Sequence, residues 1–253
     1  MNMKPLIEVR NLVNRFGSNV VHDGLDFDIF PREIVGLVGG NGTGKTVLLR
    51  SIVGLQRPTS GTVMIEGKDI NKLDTKEFLN VQRLWGVLFQ KGALFSNLTV
   101  IENIAFQLKE KTTLAEDVIN KLARMRVDMV GLPANAGAKY PAELSGGMIK
   151  RAALARCLVL DPKILFLDEP TSGLDNVAAE SFDQLIRDTV DYLGISVFMI
   201  THDLDSLYSI CDRVAVLVDR KIRTGTLKDH LKDKHPWLQE YFHNKRARFM
   251  TRG

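Results

Sequence analysis

Eight residues constrain this chain more than any others: Gly39-Gly40-Asn41-Gly42-Thr43-Gly44-Lys45-Thr46, which fit the pattern G-x-x-x-x-G-K-[ST]. They follow an apolar run, Glu33–Val38, that reads as a buried strand. They precede Val47–Val53, whose spacing is helical and which Gly54 and Pro58 close. Strand, glycine loop and helix are the context the pattern requires. Four glycines let the backbone bend until successive N–H groups point into one concavity, and the helix N-terminus adds the positive end of its dipole. Such a nest takes phosphate. Lys45 is placed to reach the β- and γ-phosphates of a nucleotide, and the Thr46 hydroxyl to ligate Mg²⁺. A glycine-rich turn with a chance lysine is the bland alternative, and the flanking strand and helix argue against it.

The rest of the chain is large enough to build a domain around that loop. Its 253 residues, 45% hydrophobic and 25% charged, have the mix of a globular protein, so a disordered or fibrous chain is excluded. No stretch approaches the roughly 18 apolar residues of a membrane span; Ile34–Gly44 and Tyr192–His202 are short and rich in glycine or polar residues. Met1–Arg10 lacks the basic-then-apolar layout of a signal peptide. Two cysteines, Cys157 and Cys211, make no disulfide framework, and a reducing cytosol is expected. The net charge of +4 is local. Tyr241–Gly253 carries Lys245, Arg246, Arg248 and Arg252 and no acid, which leaves 30 basic against 30 acidic residues in the body. A nucleic-acid binder more often spreads its charge over a folded face, so no nucleic-acid partner is expected.

Strand-like and helix-like runs alternate, which predicts an α/β domain with a partly parallel sheet. Ile7–Val9 and Leu25–Ile29 read as short strands of an antiparallel flap, Thr62–Glu66 as a strand closed by Gly67, and Trp85–Phe89 as another. From Leu98 to about Leu160 helical patterns take over: Val100–Leu108, Leu114–Met129 and Gly147–Leu160. These predict a helical lobe inserted between two core strands. Strands resume at Ile164–Leu167, Val197–Ile200 and Val214–Val218, with a helix around Ala178–Leu193, and an appended helix and basic tail begin near Lys228.

Two more motifs narrow the chemistry. Lys163-Ile164-Leu165-Phe166-Leu167-Asp168-Glu169 is an apolar strand ending in two carboxylates. Asp168 is expected beside the phosphate loop, holding Mg²⁺ through water, with Glu169 polarising the attacking water as general base. Leu144-Ser145-Gly146-Gly147-Met148 starts a helix and forms a second anion nest. One ATP does not need two distant phosphate nests. A dimer in which each chain's second nest closes over the other chain's ATP resolves this.

The order Gly39–Thr46, Gln90, Leu144–Met148, Ile164–Glu169, Ser172-Gly173-Leu174-Asp175 and His202 resembles the ATP-binding cassette family over nearly the whole chain. The resemblance implies an α/β P-loop NTPase core with a mixed sheet, an antiparallel β flap and an inserted α-helical lobe. That core would span 1–225, with the lobe at about 91–160 and a C-terminal extension with a basic tail at 226–253. It implies that Phe16 stacks on adenine and that Gly39, Gly40, Asn41, Gly42, Thr43, Gly44, Lys45, Thr46 and Val47 hold ATP. Gln90 would sense Mg²⁺ and the γ-phosphate, so that Thr46, Gln90 and Asp168 serve the metal. Ser145, Gly146 and Gly147 would bind the γ-phosphate in the partner's site, and Asp175 would lie in the loop linking the two sites. His202 would contact the γ-phosphate and position Glu169; with Lys45 these make the catalytic set. Taken singly, Phe16 also fits a core position, Gln90 a solvated loop and His202 a strand end.

Met148 departs from the family's usual glutamine, and a thioether offers the partner's ribose no comparable polar contact. Tyr140–Met148, Phe89–Phe95 and Leu98–Phe106 look like the subgroup that powers phospholipid transport between the two membranes of Gram-negative bacteria, the Mla type with an Mce-domain partner. His235–Phe242 is similar to that subgroup's C-terminal extension, which reaches the opposite ATPase subunit; a frayed basic tail or a membrane-surface contact fits equally. The resemblance implies an ATPase bound peripherally to the cytoplasmic face of a bacterial inner membrane. Its partners would be a second copy, membrane permease subunits, an Mce-domain periplasmic lipid-binding subunit and a small accessory subunit. The alternatives are transport of another substrate, a soluble cassette protein acting on nucleic acid or ribosomes, and, more remotely, a small-molecule kinase.

Overall fold

The computed structural model describes residues 4–242. In chain order the elements are β1 (Ile7–Phe16), β2 (Asn19–Ile29), β3 (Ile34–Val38), α1 (Lys45–Ile52), β4 (Ser60–Ile65), β5 (Lys68–Asp69) and α2 (Thr75–Val81). Next come β6 (Trp85–Leu88), α3 (Val100–Lys111), α4 (Glu116–Met129), α5 (Gly146–Leu158), β7 (Ile164–Asp168) and α6 (Asn176–Leu193). The chain closes with β8 (Ser196–Ile200), α7 (Leu204–Ile210), β9 (Arg213–Val218), β10 (Lys221–Gly225), α8 (Leu227–Lys232) and α9 (Pro236–Phe242). They fall into two compact units, one made by the chain up to Val81 together with Ser196 onward, the other by Gln82–Ile195.

The first unit holds an antiparallel sheet in the order β2-β1-β4-β5. β1 runs well past Val9, where the sequence pattern stops. Its inward positions are Ile7 and Val9, then Leu12 and Asn14, so the buried phase shifts by one residue. The cause is a bulge: Asn11 has φ 49°, and the register with β2 slips between Val9 and Leu12. A one-residue insertion swaps the faces of every later side chain. The strict alternation that marks a strand in a sequence is therefore broken in mid-strand. The same unit holds β3 with β8 and β9 parallel on its two sides, and β10 antiparallel to β9. β3 and β8 are buried along their whole length, as suits the continuous apolar runs of parallel strands. α2, α7 and β10, which the sequence pattern does not announce, are seven, seven and five residues long.

In the second unit β6 pairs with β7 in parallel, from Trp85 beside Ile164 to Leu88 beside Leu167. Its four helices α3, α4, α5 and α6 fall where helical periodicity predicts them. A Thr99–Glu102 capping box starts α3, Ser145 caps α5, and α6 is capped by Asp175 and ended by Gly194 at φ 65°. Asn103, fully buried on α3, donates to the carbonyls of Phe95, Leu98 and Thr99 and accepts from the Phe95 N–H at 2.7 Å, fixing the loop before the helix. Neither Cys157 nor Cys211 takes part in a disulfide among the described residues. Among the described residues no helix is long and apolar enough to cross a membrane. The expected basic tail, Lys245 to Arg252, lies outside the described residues.

Candidate nucleotide-binding site

The chain leaves buried β3 at Gly39 with no space for a side chain: a Cβ there would lie 2.7 Å from the Leu217 carbonyl oxygen of β9. Gly44 is more constrained still. Its φ is 107°, and a Cβ would sit 2.3 Å from Val21 Cγ1 and 2.7 Å from His22 Nε2 of β2. Conformation and space both demand glycine. The loop is thus seated between β9 and β2. Lys45, the buried first residue of α1, donates to the carbonyls of Gly39 at 2.8 Å and Gly40 at 3.0 Å, so its ammonium lies over the loop. Thr43 Oγ1 donates to the Gly40 carbonyl at 2.9 Å. The first turn of α1, with half-buried Thr46 and Val47, carries no acid, and no side chain caps it. Its N–H groups therefore keep the positive character an anion needs. Asn41 is exposed in the loop, and Phe16 is 46% exposed at the end of β1.

His202 follows β8 on the exposed side of the same unit. Desolvation first, and then the charge of Lys45, hold its imidazole below the ordinary value. Beneath the loop lies a polar chain that the motifs do not announce. Asn14 Nδ2 donates to His22 Nδ1 at 3.0 Å and to Ser51 Oγ at 3.1 Å, and Ser51 Oγ donates to the Val47 carbonyl at 2.9 Å. All three residues are buried. Burial drives the His22 imidazole down to about 4, the Gly44 backbone opposing it.

The second unit assembles its own set. β7 presents Asp168 and Glu169 at its C-terminal end. Glu169 has φ 52°, in the left-handed region that costs a non-glycine residue about 1–3 kcal/mol. Ser145 Oγ accepts from the Met148 N–H at 3.3 Å at the head of α5. Beside the Cβ positions of Gly146 and Gly147 the one near atom is Leu174 Cδ2, at 3.9 Å in both cases, so this nest lies next to the loop that leads to Asp175. Asp175 Oδ1 accepts from the Ala178 N–H at 2.8 Å. Gln90 is joined to Glu169 by a residue the motifs did not single out. Lys150 on α5 donates to the carbonyls of both. Burial lowers its ammonium and the Glu169 and Asp168 charges oppose that fall. Its trace in the sequence is a lysine one turn into a helix whose next turns are Ala152, Ala153 and Leu154.

A family model described as ABC transporter matches residues 22–172. The intermembrane phospholipid transport system ATP-binding protein MlaF of Haemophilus influenzae is 37% identical over 217 residues, 86% of this chain and 82% of that protein. The "Probable ribonucleotide transport ATP-binding protein mkl" of Mycobacterium leprae is 37% identical over 247 residues, 97% of this chain and 71% of that one. Among solved structures, the dimeric structure of a bacterial ABC transporter cassette superposes with a TM-score of 0.80 at 29% identity, covering 87% of this chain and 98% of that one. With the phosphate loop, the carboxylate pair and the second nest all present on that fold, the chain belongs to the ABC transporter family and is an ATP-binding, ATP-hydrolysing member of it.

Proposed function

We propose that the chain drives an ABC transporter that moves phospholipids between the inner and outer membranes of a Gram-negative envelope. The observation that carries this reading is the 37% identity to MlaF over 86% of the chain, with the Tyr140–Met148 and Leu98–Phe106 segments in support. In this reading Phe16 stacks on adenine and the residues of Gly39–Val47 cradle the phosphates, Lys45 neutralising the charge that grows on the γ-phosphoryl group. Mg²⁺, when bound, supplies further charge neutralisation at the β- and γ-phosphates. The Thr46 hydroxyl, the Asp168 carboxylate and the Gln90 amide fit that hard cation, which keeps water and phosphate among its ligands. No group of three or more His, Cys, Asp or Glu among the described residues forms a protein-only metal cage, and such an ion needs none. Glu169 takes the proton of the attacking water, and His202 hydrogen-bonds the γ-phosphate and orients Glu169.

Ser145, Gly146 and Gly147 act on the nucleotide of a second copy, with Asp175 in the loop linking the two sites; the dimeric cassette to which this chain is similar supports that pairing. The motion is exported to membrane permease subunits at the cytoplasmic face of the inner membrane. A groove of about 400 Å³ in the second unit, lined by Trp85, Phe89, Phe95, Arg83, Lys111 and Arg156, offers an aromatic and basic seat for one of them. An Mce-domain periplasmic subunit and a small accessory subunit complete the assembly. The name of the mycobacterial relative favours a second reading, with the same ATPase serving ribonucleotide transport.

Affinity capture of the chain from detergent-solubilised native membranes, with proteins and lipids identified by mass spectrometry, separates the two. Recovery of a permease, an Mce-domain protein and phospholipid supports lipid transport. A permease with another solute-binding protein keeps the ATPase role and discards the lipid. Ribosomes or nucleic acid alone would overturn the transporter reading.

A further inference from the structure

Lys150 is buried, 5% exposed, on a helix whose N-terminal turn carries the second nest. A buried lysine is costly unless its ammonium is fully engaged. Here it bridges two backbone carbonyls that lie 79 positions apart in the chain: that of Gln90, at short range, and that of Glu169, at 3.1 Å. The Glu169 carbonyl also accepts from the Ser172 N–H at 3.2 Å. Two donors thus hold the peptide of a residue whose φ of 52° is otherwise disfavoured. We propose that Lys150 is a positioning residue for ATP hydrolysis, holding the Glu169 peptide in its left-handed conformation and the Gln90 backbone at a fixed distance from it.

The geometry gives the lysine a task that no shorter or uncharged aliphatic side chain performs. Its Nζ donates along two directions to two loops, and each loop carries a side chain that the reading above assigns to the reacting phosphate. The helix that bears it begins at Ser145, so the nest, the Gln90 loop and the Glu169 loop share one rigid support. A displacement of about 1 Å in a catalytic side chain costs on the order of a hundredfold in rate while leaving ground-state binding alone. The role rests on the assignment of Glu169 as general base, and the experiment separates the two.

Lys150→Met, Lys150→Arg and Glu169→Gln are compared in the purified chain by steady-state ATP hydrolysis, fluorescent-ATP titration and thermal melting. Lys150→Met is expected to lose ten- to a hundredfold in kcat with ATP affinity within about twofold of the parent. Lys150→Arg, which keeps two donors, is expected to recover most of that loss. The double variant Lys150→Met/Glu169→Gln is expected to be no slower than Glu169→Gln alone. Undiminished kcat in Lys150→Met overturns the proposal. So does a loss that appears equally in ATP affinity, or that Lys150→Arg fails to restore although it melts like the parent. Full turnover in Glu169→Gln removes the general-base assignment instead, and a kcat loss in Lys150→Met then assigns the positioning to the Gln90 arm.

Discussion

Among single residues, the phosphate loop rests on buried groups that lie outside its own motif. His22 lies against Gly44 from below, tied through Asn14 to Ser51 on α1. With its folded-state value near 4 against an ordinary 6.5, the unfolded chain binds the extra proton first as pH falls. The penalty is absent above about pH 6.5, grows as pH falls, and is fully developed by about pH 4, where it amounts to roughly 3 kcal/mol. The melting temperature of the parent should therefore fall between pH 7 and pH 4.5 by more than that of His22→Leu. Parallel curves for the two proteins would remove His22 as the source. This network was not legible in the sequence, because the bulge at Asn11 shifts the inward phase of β1 before Asn14 is reached, and Gly24 at φ 64° breaks the alternation between His22 and the buried Leu25, Phe27 and Ile29 of β2. The glycines of the loop were legible because the motif that carries them is eight consecutive residues long, although the contacts that exclude a side chain at Gly39 and Gly44 come from β9 and β2.

At the scale of elements, helix ends carry double duty. Asp175 caps α6 through the Ala178 N–H, at the position where the family resemblance places a loop joining two sites. Loss of an N-cap costs about 1 kcal/mol. Asp175→Ala should lower thermal stability by about that amount, whereas Asp175→Asn should preserve it. Any fall in ATP hydrolysis in Asp175→Asn that thermal melting does not match then belongs to the proposed contact rather than to the cap. The long helices were legible because ten or more residues show their period; α3 and α4 differ from expectation only at their ends. The seven-residue α2 and α7 were not, since two turns are too few to establish a pattern. Strand extent failed for a different reason, as at β1, where a bulge interrupts the alternation on which the reading relies.

At the scale of the whole molecule, the last described helix closes the core of the first unit. Leu238 and Phe242 of α9 are fully buried in a cluster with Val38, Leu207, Val214 and Val216, and Trp237 approaches Gly40, with Nε1 3.6 Å from where a Cβ would lie. This helix thus packs against the strand that feeds the phosphate loop. Leu238→Ala and Phe242→Ala should each cost about 2–5 kcal/mol in chemical denaturation. Changes within about 0.5 kcal/mol would show that this helix is not part of the folding unit. Family membership, the glycine loop, the strand ending in two carboxylates and the glycine pair at the head of α5 could all be read from the sequence. Each is a pattern carried by consecutive residues. That Lys150 joins Gln90 to Glu169, that His22 lies against Gly44, and that α9 belongs to the core of the first unit came from the folded chain. Those contacts depend on where distant segments come to rest, and hydrophobic burial, which fixes that, is indifferent to their order along the chain.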